Sequence, residues 1–190
     1  MPGGCLWDVA DEDAALAITA AVLQRLWSAG SSDAPVPLLS VAAHRWSQEL
    51  PRRFLRYGRP FSERLLSRAV SLCIELSESQ PELVVCHQDL HGGNVLPAGA
   101  ERWLAIDPKP LLGERAFDLA SPLRDRPEEL LAAPSPARAM RRQRDLLTET
   151  TGTDPDRARG WAIVHALAWG LSEEGVYRDA IACAELLERV

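Results

Sequence analysis

Apolar residues recur at three- and four-residue intervals along most of the chain, the spacing that gives a helix one oily face. From Asp11 to Ala29 acidic residues crowd the first turn, and Leu16, Ala20, Leu23 and Trp27 form a stripe. Gly30 is expected to end this helix in a left-handed turn. The Ser-, Asp- and Pro-rich run from Gly30 to Pro37 reads as a loop. A second helix is predicted over Leu39 to Leu50, with Pro51 opening a separate turn through Arg56. After the break at Gly58 to Pro60, a third helix is predicted from Phe61 to Glu78. Its stripe of Leu65, Leu66, Ala69, Leu72, Cys73 and Leu76 suggests the central buried helix of the domain.

The pattern then changes. Leu83 to Cys86, Asn94 to Leu96 and Arg102 to Ile106 are short β-like runs, punctuated by Gly92, Gly93, Pro97, Gly99, Pro108 and Pro110. Helical spacing returns over Pro127 to Ala132, Ala137 to Thr150, Pro155 to Gly170 and Glu174 to Val190, and Asp154 is a candidate N-cap ahead of Pro155. The chain therefore reads as one mainly α domain with a small β-containing insert. Trp27, Trp46, Trp161 and Trp169 fall on helical stripes and are expected in the core. His44 and His165 lie inside the same kind of pattern and read as core or surface residues.

Length and composition agree with a single packed unit, since 190 residues with 46% hydrophobic side chains can build one core. A net charge of -6 argues against a nucleic-acid partner. No apolar run approaches the length of a membrane span, and the first residues lack the pattern of a signal peptide. Cys5, Cys73, Cys86 and Cys183 form no C-x-x-C pair, and the expected compartment is the reducing cytoplasm.

The insert carries the candidate chemistry. In VVCHQDLHGGNVLPAGAERWLAIDPK, His87, Asp89 and Asn94 stand at H-x-D-x-x-x-x-N spacing, and Asp107 follows the last strand-like run. Phosphoryl transfer requires a group to accept the attacking hydroxyl's proton and hard oxygen ligands for magnesium. An Asp and an Asn on one tight loop, with a second Asp after the next strand, can supply both. Two other readings stand beside this one. His, Asp, Asn and Gly are ordinary turn residues. Cys86, His87, Asp89 and His91 also crowd together as transition-metal ligands would in a metal-dependent hydrolase.

The stretches CHQDLHGGNVL and WLAIDPKPLLGERAFDLA resemble the catalytic loop and metal-binding segment of the aminoglycoside phosphotransferase family. The Asp-Pro-Lys at 107 to 109 is similar to the branch of streptomycin-type and hydroxyurea-type resistance kinases. The resemblance implies a protein-kinase-like fold of which residues 1–190 form the C-terminal lobe, with a hinge at about 1–10 and the catalytic and metal-binding segment at 83–120. It implies ATP and Mg2+ as co-substrate and cofactor, Asp89 as catalytic base, and Asn94 and Asp107 as metal ligands. His87 and Asp118 would then support the loop, although a helix-start role for Asp118 remains open. Lys109 is either a phosphate-binding residue or a solvated loop lysine. The implied acceptor is a hydroxyl of a small molecule, either an aminoglycoside such as streptomycin or hydroxyurea.

The sequence has no G-x-G-x-x-G, and Lys109 is its one lysine. The N-terminal ATP-binding lobe is therefore expected to be absent from this chain or supplied by another segment. The alternative to a phosphotransferase is a silent remnant that acts only as a binding module. Glu173 and Glu174 could line a cationic acceptor's site, or could be a solvated helix start.

Overall fold

The helices begin and end where the chain offers caps and close packing. In the computed structural model, which describes residues 4–31, 33–99 and 102–190, α1 spans Glu12–Ala29 and Asp11 caps it by accepting from the Asp13 and Ala14 amides. Gly30 is not left-handed. Its φ is -75°, and the position needs glycine because a Cβ there would lie 2.8 Å from Val85 Cβ. Met1, Pro2 and Gly3, the first part of the expected hinge, lie outside the described residues.

The second helix, α2, runs unbroken over Leu39–Arg56 with Pro51 inside it. The expected break does not occur, because Leu50 and Phe54 on either side of the proline are both buried in the core. Their burial offsets the lost backbone bond. Ser62 caps α3, Glu63–Glu78, through the Leu65 amide at 3.2 Å, two residues later than the apolar pattern starts. Helix α3 buries Leu65, Ala69, Leu72, Cys73 and Leu76, while Ile74 on its other side is exposed.

The central position belongs instead to α7, Pro155–Gly170, which is buried at every residue from 160 to 168. Its apolar character runs all the way round, as a helix enclosed on every side requires. The expectation that Phe61 to Glu78 is central is therefore corrected. Helix α3 packs as an amphipathic layer against α2 and α7. Asp154 caps α7 by accepting from the Arg157 amide at 2.8 Å. The other α-helices among the described residues are α4 (Arg115–Asp118), α5 (Pro127–Ala132), α6 (Pro136–Thr151) and α8 (Arg178–Leu187). Helix α8 starts later than Glu174, because the chain from Leu171 to Val176 first makes a short antiparallel bridge.

Among the described residues four three-residue strands form two antiparallel pairs. β1, Val84–Cys86, pairs with β4, Leu111–Gly113, and β2, Val95–Pro97, pairs with β3, Trp103–Ala105. The expected fold class, mainly α with a small β-containing segment, holds. Strand β4 was not expected from the sequence. It is tied on its other side to the Gly30–Pro37 loop by the Leu112 amide donating to the Pro37 carbonyl at 2.8 Å. Trp27, Trp46 and Trp161 lie in the core as expected, while Trp169 is half-buried and reaches a cleft.

A buried ion pair locks the helical layers beneath the strands. Arg157 of α7 donates to both carboxylate oxygens of Glu114 at 2.6 Å, and Trp161 Nε1 donates to the same carboxylate. Arg157 also donates to the Leu76 carbonyl and Ser79 hydroxyl at the end of α3. The hydrogen bonds it donates to Glu114 push the Arg157 pKa up.

Candidate active site

Strand β1 ends at Cys86 and delivers His87, Gln88 and Asp89 to a loop that closes at Asn94. Asp118, at the end of α4, holds this loop from below. Its two carboxylate oxygens accept from the backbone amides of His87 at 2.9 Å and Gln88 at 2.8 Å, and Trp27 Nε1 donates to it at 2.9 Å. These donors stabilise the backbone at Gln88, whose φ of 71° is unfavourable for a side-chain-bearing residue. Asp118 is fully buried, and desolvation pushes its carboxyl pKa up against the pull of those donors.

The segment after β3 is bound to the same loop at three points. His87 Nε2 donates to the Ile106 carbonyl at 3.0 Å, the Ile106 amide to the Asn94 carbonyl at 2.9 Å, and the Lys109 amide to the His87 carbonyl at 3.0 Å. Asp107 lies between these ties. Its φ is 55°, a left-handed conformation that Asp tolerates better than most residues. Its carboxylate is exposed and makes no hydrogen bond among the described residues. His87 is buried, and desolvation pushes its pKa down despite the nearby Asp118. With Nε2–H committed to a carbonyl, its Nδ1 is left unprotonated.

The Asn94 side-chain amide donates to the Asp89 carbonyl at 2.9 Å, which fixes which end of the amide is nitrogen and leaves its oxygen free to act as a ligand. The Asp89 carboxylate pairs with the Lys109 ammonium. Lys109 is thus engaged with Asp89, and its side chain is half exposed. An amide oxygen and a free carboxylate, held on two segments bound together, suit magnesium, a hard cation satisfied by few protein ligands.

The transition-metal reading finds no such support. Cys86 Sγ contacts the carbonyls of Val84 and Glu114, His87 Nε2 is taken by Ile106, and His91 Nδ1 accepts from Gly93. Among the described residues no cluster of three His, Cys, Asp or Glu side chains could hold a metal.

Two clefts open at the Asp89–Lys109 pair, one lined by each partner. One, of about 530 Å3, is lined by Trp7, Asp89, His91, Arg124, Asp125 and Glu128. The other, of about 1100 Å3, includes Trp46, Lys109, Arg124, Trp169, Glu173 and Glu174. Both glutamates are exposed and precede α8, so their place on this cleft comes from a loop and not from a helix start.

The sequence reading missed three residues here. Trp7 stacks on His91 with centroids 5.1 Å apart and donates to Asp125 at 2.8 Å, while the Gly92 amide donates to the other Asp125 oxygen at 2.7 Å. A side chain at position 92 has no room, since its Cβ would lie 2.6 Å from Trp7 Cδ1. The third is Arg124, on the wall common to both clefts. Trp7, Asp125 and Arg124 lie in short irregular stretches with no periodic signal.

The architecture is that of the kinase-like phosphotransferases. The structure aligns with aminoglycoside phosphotransferase APH(4)-Ia, solved as a ternary complex with ADP and hygromycin B, at a TM-score of 0.65 and 13% identity. The match covers 98% of this chain and 68% of that one. At that identity the likeness establishes the fold.

Sequence then narrows the class. Residues 5–175 match the aminoglycoside/hydroxyurea antibiotic resistance kinase family, and the chain belongs to it. It is 38% identical over 182 residues to the streptomycin 6-kinase of Streptomyces glaucescens, covering 93% of this chain and 58% of that protein. It is 32% identical to the hydroxyurea phosphotransferase of Kitasatospora aureofaciens, covering 93% of this chain and 51% of that protein. The chain thus spans between half and two thirds of the length of these relatives. Among the described residues no helix is long and apolar enough to cross a membrane.

Proposed function

We propose that these residues form the acceptor-side lobe of a small-molecule phosphotransferase that moves the γ-phosphoryl group of ATP to a hydroxyl of an aminoglycoside such as streptomycin, or of hydroxyurea. The observation that carries this reading is the three-point tie between the loop bearing Asp89 and Asn94 and the segment bearing Asp107. A tie of this kind keeps a proton acceptor and two oxygen ligands in register without help from substrate, which is what a reaction dependent on positioning demands.

In this proposal Asp89 receives the acceptor hydroxyl's proton and orients that oxygen toward the phosphorus. Asn94 and Asp107 hold magnesium, which when bound neutralises charge on the phosphates. His87 keeps the Asp107 segment against the loop through the Ile106 carbonyl. Asp118 holds the His87 and Gln88 amides, so that Asp89 emerges at a fixed angle. Lys109 restrains the Asp89 carboxylate and is a cation available to phosphate. A nucleotide-covering lobe with a glycine-rich loop and a second lysine would complete the site, and a lobe without one would act only as a binding module. The site calls for a cytoplasmic setting, where ATP and Mg2+ are both present.

The test is ADP formation with streptomycin and with hydroxyurea, using this chain alone and fused to a relative's nucleotide-covering lobe. Acceptor-dependent ADP release by the fusion, abolished by Asp89→Asn, is expected. Release that ignores both the acceptor and the substitution would overturn the reading.

A further inference from the structure

Six arginines are not exposed: Arg53, Arg124, Arg126, Arg144, Arg157 and Arg159. Five of them have a carboxylate oxygen between 2.6 and 3.3 Å away. Arg124 has none within 4.0 Å among the described residues. A guanidinium taken from water loses hydration that only an anion fully replaces, so an unpaired one is a costly exception.

The one hydrogen-bond partner of its side chain among the described residues explains how it is held. Arg124 Nη2 and Nε lie 2.9 and 3.3 Å from His165 Nδ1. Arginine has no acceptor, so Nδ1 accepts and the ring carries its hydrogen on Nε2. His165 is wholly buried in α7, stacked on Trp169 at 4.0 Å and edge-on to Phe117 at 5.6 Å. Burial, with the Arg124 charge adding to it, pushes the His165 pKa well down, so the ring is neutral. It aims the guanidinium, to which Asp89 and Asp125 lend charge only from beyond ion-pair distance. Burial pushes the Arg124 pKa down as well, opposed first by the Asp89 carboxylate. Arg124 lines both the cleft that contains Asp89 and the larger cleft that contains Lys109.

We propose that Arg124 is an anion-contacting residue that takes a phosphoryl oxygen on the wall between the two clefts, with His165 as the positioning residue that aims it. The anion site rests on the unpaired guanidinium alone, and the identity of the anion as a phosphoryl group rests on the phosphotransferase reading. Together with Lys109 it gives the region around Asp89 two cations, one exposed and paired with Asp89, the other half-buried and held by His165.

Inorganic phosphate is the probe. In 15N-edited NMR of the 190-residue chain, phosphate titration should shift the Arg124 Nε–H signal, identified by its loss in Arg124→Gln. That variant should weaken phosphate binding about tenfold, and Arg124→Lys should recover part of the loss. His165→Asn, which keeps an acceptor at the Nδ1 position, should preserve binding better than His165→Leu. Unchanged phosphate affinity in Arg124→Gln, or an Arg124 signal that does not move at saturating phosphate, would overturn the proposal. The acceptor-dependent ADP assay separates it from the functional reading. Phosphate bound at Arg124 without transfer in the fusion sinks the phosphotransferase and leaves the anion site. Transfer that survives Arg124→Gln at full kcat sinks Arg124's part in the reaction.

Discussion

Two ion pairs lie on either side of the β1–β4 ribbon, and they are built for different purposes. Glu114 and Arg157 meet through two bonds of 2.6 Å, with Glu114 1% exposed and its Oε1 also accepting from Trp161 Nε1. Asp89 and Lys109 meet through a single contact, with the lysine side chain 51% exposed. The first pair is geometrically closed and joins α3, the β4–α4 junction and α7. The second is open, monodentate and free to exchange its partners. The base role proposed for Asp89 requires a carboxylate that is not locked as Glu114 is, and one that holds helices together cannot be left as open as Asp89.

The contrast can be broken most sharply at its open end. Asp89→Asn should lower phosphoryl transfer in the nucleotide-lobe fusion by about 10²–10⁴ while leaving the melting temperature almost unchanged, because a half-exposed ion pair contributes about 0–1 kcal/mol. Parallel activity and melting curves check this, and a large drop in melting temperature would place Asp89 among the structural residues.

Glu114→Gln should do the reverse. Removing one partner of a buried pair costs about 3–5 kcal/mol, or roughly 10 °C in a chain of this size. Calorimetry would show it, and a variant as stable as the parent would mean that the pair does not hold the layers together.

Asp118→Asn is intermediate, because it weakens the grip on both the His87 and Gln88 amides. A loss of about 2 kcal/mol is expected, together with a fall in kcat, since the loop bearing Asp89 loses its anchor. Denaturant melts and steady-state kinetics on the same preparation would separate the two effects.

The pH dependence follows from His165 and His87, both held below the ordinary imidazole value when folded. The unfolded chain takes up protons at about 6.5, so their contribution to stability is full above that pH and declines as the pH falls below it. Asp118 has the opposite sign, since its raised folded pKa relieves a cost as acid is added, over the range from that raised value down to the unfolded value of about 4. Melting temperature should therefore fall between pH 7 and 5.5, with a shallower slope in His165→Asn. A flat profile would show that neither ring is held neutral. The smallest effect is expected of Lys109→Ala, within about 0.5 kcal/mol by denaturant melts.

How much of this was legible from sequence depended on how far apart the partners stand. His87, Asp89, Asn94 and Asp107 fall within one short stretch, so the sequence could group them, and the structure binds the two segments that carry them to each other. The ends of α5 and α7 were legible because Pro127, Asp154 and Pro155 mark them locally. The Arg124–His165 contact joins positions 41 residues apart, each in unremarkable surroundings, and nothing local pairs them. Strand β4 is three residues whose extended shape comes from β1 and the Gly30–Pro37 loop, not from its own pattern. At Pro51 the local rule for helix breaking was right in kind, but buried neighbours on both sides outweighed it. Helix α3 was misread as central because its stripe is strong, whereas α7, apolar on every face, has almost no stripe to see.

The central claim is that Asp89, Asn94 and Asp107 serve one magnesium-phosphate site, and paramagnetic broadening by Mn2+ with ADP tests it most directly. Substoichiometric Mn2+ should erase the amide signals of Gly93, Asn94, Ile106 and Asp107 first, and Asp107→Asn should restore them without unfolding the chain. Broadening that centres elsewhere, such as on Glu173 and Glu174, or that persists unchanged in Asp107→Asn, would contradict the account.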